Sequence, residues 1–569
     1  MQSNKPQRSL TSEVWSATLW NTLLFPARFL VGIITSVIYY GRLAPEQVAL
    51  IFLLTSLAAS IGTYADLGIE RSLPRFIPEV EKRQGRQGVL RFLWRMIGLK
   101  LAIMAVLVLG LNLLAQPMGN YLIEQQRQEI VEIETQISTL QQQPATPDQT
   151  SKLSKLQHQR TGTLSVIDQI ESQSHWYMLV VSALLILGAL FDVFMQFLTA
   201  YFKQRAWNLI TLVTTLLQPI LVTIFILLGW GITGVLIGLV LTPLVSVLMA
   251  AWQAIRASRE LSNTGDGEAP DLALPKRFAK FAAVSYLMQI TTWVYDIQFV
   301  TLFTVTQLSP RDVAILAFAY KFAKDYLGYI WMPLNGVMTP LLSRIKLRRD
   351  PQSLQDAHGG LARMIWLLIV PAGVGLALLT PRMVAVLYPL YTDASSLIIV
   401  FIAFTFGESL LSVPHNVLMV YEQYRAVIIS RLFAFISVPL VFLLLPRYGM
   451  LGVAIAVGAV RVATRVITLY YGWRNLGLQL PWRFWLRVCA ASASFAVALF
   501  GLMQLWPMPA AAAGWQAKIT NLLPLMLFAV FGAGLYLLTL RLLGGLDPAE
   551  RERLLAMKLP FKGVLRRVL

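Results

Sequence analysis

Long runs of apolar residues recur along nearly the whole chain and are separated by short polar and basic segments. A helix that crosses about 30 Å of hydrocarbon needs roughly 20 apolar residues, and most of these runs reach that length. Backbone amides must be hydrogen-bonded inside a bilayer, so the runs are predicted to be transmembrane helices. We predict fourteen spans, at residues 14–40, 47–68, 92–115, 176–200, 207–229, 232–251, 279–305, 313–338, 361–380, 394–419, 427–446, 449–472, 485–506 and 520–541.

The composition agrees with a membrane protein and excludes a water-soluble globule. Of 569 residues, 56% are apolar and only 14% are charged, and the mean hydropathy is +0.61. The first apolar segment is longer than that of a cleavable signal peptide, so we expect it to remain as a membrane helix. The single cysteine, Cys489, excludes an intrachain disulfide and a multi-cysteine metal site.

The net charge of +19 is explained by topology. If the N-terminus is cytoplasmic, the loops after even-numbered spans and both tails hold about 32 of the 48 lysines and arginines, as the positive-inside rule requires. This distribution predicts a multi-pass protein of a bacterial inner membrane with both termini in the cytoplasm. The basic loops then lie beside anionic lipid, and no nucleic-acid partner is expected.

Residues 117–175 differ from every other loop because they are rich in Gln and Glu. Ile130, Ile133, Ile137 and Leu140, and then Leu153, Leu156, Ile167 and Ile170, follow heptad spacing on either side of two prolines. We therefore predict an antiparallel, coiled-coil-like helical hairpin outside the membrane. It is interpreted either as a self-contained insertion, the simpler reading, or as a docking site for a partner such as a polysaccharide polymerase or envelope component.

Two short motifs recur in the two halves of the chain. Leu43-Ala-Pro before the second span resembles Leu308-Ser-Pro before the eighth, and Trp230-Gly-Ile-Thr-Gly-Val resembles Tyr448-Gly-Met-Leu-Gly-Val. The offsets differ by about the length of the hairpin insert, which predicts two copies of a six-helix unit in parallel orientation. The predicted organisation is a cytoplasmic N-tail (1–13), a first six-helix lobe (14–251, with the hairpin), a cytoplasmic linker (252–278), a second six-helix lobe (279–472), two additional transmembrane helices (473–541) and a basic cytoplasmic C-tail (542–569).

The opening of the chain carries a family resemblance. Gly41-Arg-Leu-Ala-Pro-Glu46, Asp66-Leu-Gly-Ile-Glu-Arg71 and Pro74-Arg-Phe-Ile-Pro-Glu79 resemble oligosaccharide flippases of the polysaccharide transporter family. That family belongs to the MOP superfamily, together with MATE multidrug exporters and lipid II flippases. The resemblance implies an all-α fold with two six-helix lobes and, as cargo, a polyprenyl diphosphate-linked glycan. The long hairpin and the fourteen spans depart from the usual pattern of short loops and twelve spans.

Charged residues inside predicted spans are the candidate site residues, since each costs about 2.5–3.5 kcal/mol to insert. Five cations could hold a diphosphate, because guanidinium and ammonium groups pair with phosphate oxygens. Three carboxylates could bind and release a coupling ion. Each of these charges could instead pair internally; Lys321 with Asp325 is the plainest case, and a carboxylate could lie between Arg461 and Arg465. The cations are Arg28, Arg461, Arg465, Lys321 and Lys100, and the carboxylates are Asp296, Glu408 and Asp192.

Several functions can be compared on these features. The chain has neither a G-x-x-x-x-G-K-[ST] phosphate loop nor an H-E-x-x-H motif, so we expect no nucleotide hydrolysis by that route, no metal, no cofactor and no catalytic residues. The leading hypothesis is a flippase that moves a lipid-linked oligosaccharide by alternating access. The alternatives are a MOP-type drug/ion antiporter, a lipid II flippase and, less favoured, an integral-membrane glycosyltransferase or polymerase.

Overall fold

The computed structural model describes residues 31–142, 147–201, 203–261, 263, 273–294, 296–305, 307–348, 351–505 and 515–544. Within these ranges the regular structure is helical, as predicted. Most of span 1, both predicted tails apart from 542–544, and most of 262–272 in the linker lie outside the described residues. The helices are α1 (31–42), α2 (Pro45–Ala65), α3 (Ile69–Leu113), α4 (Ala115–Gln141), α5 (Pro147–Ala200), α6 (Gln204–Leu227), α7 (Gly231–Ser258), α8 (Leu274–Trp293), α9 (Ile297–Thr304), α10 (Pro310–Arg348), α11 (Pro351–Leu387), α12 (Ser395–Leu410), α13 (Ser412–Val420), α14 (Tyr424–Phe433), α15 (Ser437–Leu476), α16 (Trp482–Leu505) and α17 (Trp515–Leu542).

The described chain divides into two compact units. Val31–Ala317 form the N-terminal unit, in which α5 packs against α2, α3, α4 and α7, and α6 packs against α7. Residues from Phe318 onward form the C-terminal unit, in which α12 packs against α11 and α15, and α16 packs against α11 and α17. The division falls within α10, so α8 and α9 group with the N-terminal unit, although 279–305 was assigned to the second lobe.

Ten helices in the described part of the chain are long and apolar enough to cross a membrane. They coincide with eleven of the fourteen predicted spans, because α14, α15 and the short turn between them form one continuous stretch that holds predicted spans 11 and 12. Predicted span 1 is described only from residue 31. The total of fourteen therefore stays a prediction.

Span 7 differs from the single helix that its apolar pattern predicts. It is interrupted between Trp293 and Ile297, where α8 ends and α9 begins. The Asp296 carboxylate caps α9 by accepting a hydrogen bond from the backbone N–H of Gln298 at 3.0 Å. An aspartate at this position satisfies an otherwise unpaired amide at the helix N-terminus, so its polar side chain stabilises the break.

The inserted segment forms two helices, α4 and the first part of α5, which bends at Gln173. Arg127 on α4 pairs with Glu171 at 2.8 Å, and Glu134 pairs with Arg160 at 2.7 Å. Later residues of α4 thus meet earlier residues of α5, as in an antiparallel pair. Of the predicted heptad positions, four are buried and the described remainder are half-buried; the buried ones are Ile130, Ile133, Ile167 and Ile170.

The repeated motifs adopt matching local structures. Pro45 is the first residue of α2, and Pro310 is the first residue of α10. Gly231 opens α7 with φ +53°, and Gly449 interrupts α15 with φ +52° at the start of predicted span 12. Proline fits the first helical turn, where its missing N–H has no intrahelical partner, and glycine tolerates positive φ. The sequence similarity between the halves therefore marks equivalent helix starts.

Candidate functional site

Two arginines of the C-terminal unit share one carboxylate. Arg461 and Arg465 are four residues apart on α15 and therefore lie on the same face. Arg461 Nη2 lies 2.5 Å from Glu408 Oε2, and Arg465 Nη2 donates a hydrogen bond to Glu408 Oε1 at 3.0 Å. Each guanidinium thus takes one oxygen of the same carboxylate, which offsets the repulsion between them.

Glycines allow this contact between α12 and α15. A Cβ on Gly458 of α15 would overlap the ring of Phe404 on α12, and a Cβ on Gly407 of α12 would lie 3.2 Å from Val462 Cγ2 on α15. Small residues let transmembrane helices approach closely, as in the small-xxx-small interfaces of membrane proteins. The close approach allows the short Glu408 side chain to reach both arginines.

An aromatic ring and a further lysine on α10 extend this group. The Arg461 guanidinium carbon lies 5.5 Å from the centre of the Tyr320 ring, and Lys324 Nζ lies 5.2 Å from the same centre. Both distances are within the range of cation–π attraction. The side chains of Arg461 and Arg465 retain 13% and 19% exposure, so they are not sealed in the bundle.

We call the charged groups of α10, α12 and α15 the C-terminal cationic cluster. Asp325 of α10 interacts electrostatically with Lys321 and Lys324 on the same helix. Four cations face two carboxylates, so the formal charge is +2 with every group ionised. A group with this excess of donors and positive charge can bind a phosphate-bearing ligand. Its members are Arg461, Arg465, Lys321, Lys324, Glu408 and Asp325.

The N-terminal unit holds a buried group of the opposite sign. Lys100 Nζ lies 2.8 Å from Asp66 Oδ1 and also hydrogen-bonds Glu70, and the side chains of Lys100 and Asp66 are at most 2% exposed. Asp192 on α5 interacts electrostatically with this lysine and with both carboxylates. We call these four residues the N-terminal acidic cluster, because three carboxylates surround one cation. Such a group can hold an additional proton.

The predicted site residues outside the Arg461–Glu408–Arg465 contact each have a different environment. Arg28 lies outside the described residues. Lys321 is exposed on α10, and Asp296 caps α9. Lys100 was predicted to face a diphosphate, whereas the structure surrounds it with carboxylates.

Sequence reasoning missed three residues of these clusters, Asp66, Glu70 and Lys324, and the neighbouring ring of Tyr320. Asp66 and Glu70 fall where α2 turns into α3, at the edge of a predicted span, where charged residues are ordinary. Their spacing of four residues was the available signal. Lys324 lies three residues after Lys321, a spacing that places both on one helix face, but Tyr320 carried no signal in the sequence.

The chain is similar to one protein-family model and to several solved structures of membrane transport proteins. A family model described as "Polysaccharide biosynthesis protein" matches residues 170–394. The lipid II flippase MurJ, in an inward closed conformation, superimposes with a TM-score of 0.63 at 14% identity, covering 90% of this chain and 98% of that chain. An inward-facing multidrug resistance MATE family transporter of the MOP superfamily gives 0.53 at 14% identity, covering 79% and 94%. The chain shares the fold of these two transport proteins.

A further solved structure, a MATE P26A mutant, gives a TM-score of 0.50 at 14% identity and covers 81% of this chain and 96% of that chain. No curated protein sequence matches this one significantly. The matched family model is one of polysaccharide biosynthesis, and the shared fold is one that a lipid II flippase and MATE transporters adopt. At 14% identity the solved structures establish the fold, whereas the cargo must be argued from this chain's own residues.

Proposed function

We propose that the protein is a flippase that moves a polyprenyl diphosphate-linked oligosaccharide across the bacterial inner membrane by alternating access. The single observation that supports this cargo best is the C-terminal cationic cluster. A diphosphate in a diester linkage carries two negative charges, which the formal charge of +2 would neutralise. Neither the prenyl tail nor a neutral glycan requires such a group, so the diphosphate is the part of the cargo that it suits.

The Glu408 carboxylate occupies the position between the two arginines that a diphosphate would take. This carboxylate pairs with both arginines and offsets the repulsion between them. We propose that an arriving diphosphate displaces Glu408 and takes its place between the guanidiniums, since phosphate oxygens accept the same planar pairs of donors. Binding and release then depend on the competition between two anions, so the lipid is not held irreversibly.

The proposed coupling residues differ in their surroundings. Asp192 belongs to the N-terminal acidic cluster, which we propose as a site for a coupling proton. There the charge of Lys100 would influence how readily the carboxylates take up and release that proton. Glu408 would link ion binding to cargo binding through its exchange with the diphosphate. Asp296 remains a third candidate, since broken membrane helices frequently bind ions.

The wider arrangement of the proposal follows the sequence. Fourteen spans with cytoplasmic termini would place the α4–α5 hairpin outside the membrane, where it could contact a polymerase or another envelope protein. Arg28 would add further positive charge to the path of the cargo, beside Lys321 and the other cations of the C-terminal cationic cluster. The glycan would cross in water while the prenyl chain stays in lipid, and no enzymatic step would be required.

Reconstitution in liposomes tests the proposed cargo directly. Wild-type protein should translocate a labelled polyprenyl diphosphate sugar, and Arg461→Ala and Arg465→Ala should reduce the rate by about tenfold or more, the factor that loss of about 1.4 kcal/mol produces. Arg474→Ala is the matched control, because Arg474 is also on α15 but is exposed at its end. Equal rates for all four proteins would refute the assignment of the site.

One observation favours a second function, a drug or cation antiporter. The N-terminal acidic cluster would attract organic cations, and the MATE structures show that this fold accommodates multidrug transporters. A proton-driven efflux assay with a cationic dye separates the two functions. Dye transport that survives Arg461→Ala but is lost in Asp192→Asn, without any movement of lipid-linked sugar, would favour the antiporter.

A further inference from the structure

A cavity of about 270 Å³ lies between the inserted hairpin and the helix starts of the N-terminal unit. Its walls come from α2, α4 and α5, from the loop after α9 and from the first turn of α10. Apolar side chains such as Leu50 and Val313 form one part of the lining. The polar part consists of Glu46, Gln126, Gln128, Glu129, Glu132, Gln307 and Ser309.

Two acceptor atoms in this lining are buried without a hydrogen bond. Gln126 is only 8% exposed, and its Oε1 accepts no hydrogen bond from the described residues. Glu129 Oε1 accepts a hydrogen bond from Gln159 Nε2 at 3.0 Å, but its buried Oε2 accepts none. A buried polar atom without a partner costs about 1–3 kcal/mol, so the arrangement favours a ligand that satisfies acceptors.

The lining of the cavity is negatively charged, which favours a cationic ligand. Three glutamates line it, and the described lining contains no lysine, arginine or histidine. Burial raises the pKa of Glu129 to about 7; the Gln159 hydrogen bond opposes this shift, while the charges of Glu46, Asp312 and Glu132 add to it. These carboxylates repel one another when all are ionised, and a cation between them would relieve the repulsion.

The donor atoms point to a hard cation. Carboxylate, amide and hydroxyl oxygens are the ligands that Mg²⁺ and Ca²⁺ prefer. Among the described residues, no three carboxylates, imidazoles or thiols converge closely enough to hold one metal ion directly. The cavity volume is several times the roughly 30 Å³ share of one water molecule. A cation here must therefore keep much of its water, as Mg²⁺ usually does.

We propose that this cavity binds a hydrated divalent cation, most suitably Mg²⁺, whose water shell bridges Gln126 and Glu129 of the hairpin to Glu46 of α2. Glu46 is 2% exposed, and one of its carboxylate oxygens lies 2.5 Å from where a Cβ on Gly162 would stand. The helix starts and the hairpin thus already meet at this carboxylate. The bound cation would fasten the hairpin to the start of α2 within the N-terminal unit.

Calorimetric titration of the full-length protein in detergent with MgCl₂ tests the proposal. Wild type should bind the ion, while Glu129→Gln and Gln126→Ala should each weaken binding by about 10–100-fold, the usual cost of losing an outer-shell partner. Glu124→Gln is the control, because Glu124 is exposed on α4 and does not line the cavity. Absence of binding by a folded wild type, or equal binding by all four proteins, would overturn the proposal.

Two further titrants identify the kind of cation. Hexaamminecobalt(III) cannot exchange its ligands on this timescale and mimics hydrated Mg²⁺, so it should compete with Mg²⁺ for the cavity. Failure to compete would show that the ion is bound directly and would contradict the hydrated site. A diamine that binds as tightly as Mg²⁺ would assign the cavity to organic cations and would also overturn the proposal.

Proteolysis reports the consequence for the hairpin. Added Mg²⁺ should slow cleavage within α4 in wild type and in Glu124→Gln, but not in Glu129→Gln, because the bridge needs that carboxylate. Cleavage that is insensitive to Mg²⁺ in a wild type that binds the ion would refute the bridging role.

Discussion

Gly231 and Gly449, 218 positions apart, adopt the same backbone φ to within one degree, +53° and +52°. Each is followed three residues later by a glycine whose hydrogen faces the preceding helix. A Cβ on Gly234 would lie 2.8 Å from Phe225 Cβ, and a Cβ on Gly452 would overlap the Leu444 carbonyl group. The two halves of the chain therefore use the same pair of glycines to turn one span tightly into the next.

Replacing Gly231 or Gly449 by alanine should destabilise the protein by about 1–2 kcal/mol each, because an L-residue is strained at positive φ. Both changes should lower the midpoint of thermal unfolding in detergent. Gly501→Ala is the control: a Cβ there meets no atom within 4 Å, and α16 is helical at that point, so the change should be neutral or slightly stabilising. Unchanged midpoints at 231 and 449 would contradict the argument.

Replacing Glu408 by glutamine should expose the repulsion between Arg461 and Arg465. Loss of the charged partner of a mostly buried pair costs on the order of 3 kcal/mol, so the unfolding temperature should fall. Added inorganic pyrophosphate should restore more stability to this variant than to wild type, because the anion no longer competes with Glu408.

The matched control for Glu408→Gln is Glu422→Gln. Glu422 pairs with Lys346 at 2.7 Å, but its side chain is 63% exposed, so its loss should change little. A response to pyrophosphate that is the same in Glu408→Gln and wild type would count against the exchange of anions at this cluster.

Replacing Lys100 by methionine should be one of the most destabilising single changes in the N-terminal unit. It leaves Asp66 and Glu70 buried without their cation, which costs about 3–5 kcal/mol. Lys203→Met is the control, because Lys203 pairs with Glu260 at the surface, where the two side chains are 34% and 59% exposed. Its loss should cost about 0–1 kcal/mol. Equal unfolding temperatures for the two variants would show that the N-terminal acidic cluster tolerates the loss.

The stability of the hairpin should depend on pH through Glu129. Its pKa is raised from 4.5 to about 7 in the folded protein, so the folded state binds the proton more tightly than the unfolded state. The stabilisation is fully present below pH 4.5 and is lost as the pH rises to about 7. In magnesium-free buffer, the protection factors of the α4 amides, which correct for the intrinsic pH dependence of exchange, should therefore fall across this interval.

Glu129→Gln should remove the part of this pH dependence that Glu129 supplies, because the amide remains neutral throughout. The facing charges Glu46 on α2, Asp312 on α10 and Glu132 on α4 stay in place in that variant. A pH dependence that is unaltered by Glu129→Gln would assign the effect to one of those groups.

Much of the fold was readable from the sequence, and the reasons are local. Apolar length predicted the membrane helices because a bilayer demands that length from each span. Heptad spacing predicted the buried Ile133 and Ile170 of the insert, and the repeated prolines and glycines predicted equivalent helix starts. The break at Asp296 was not predicted, because an apolar run conceals where a polar side chain interrupts it.

The partners within the charged clusters could be predicted from the sequence only in part. The face shared by Arg461 and Arg465 follows from helix geometry, and a carboxylate between them was anticipated as one alternative. That the carboxylate is Glu408, on a helix more than fifty residues away, depends on the approach of Gly458 to Phe404. In the same way, only packing brings Asp66 and Glu70 to Lys100.

The sequence by itself determined that this is a helical membrane protein in which short motifs recur, because hydropathy, helix period and turn chemistry act over a few neighbouring residues. The tertiary structure alone decided which charges meet and which cavity lies under the hairpin. Those outcomes depend on the distances between helices that are far apart in the chain, and these distances are set by side-chain volume and close packing across the bundle.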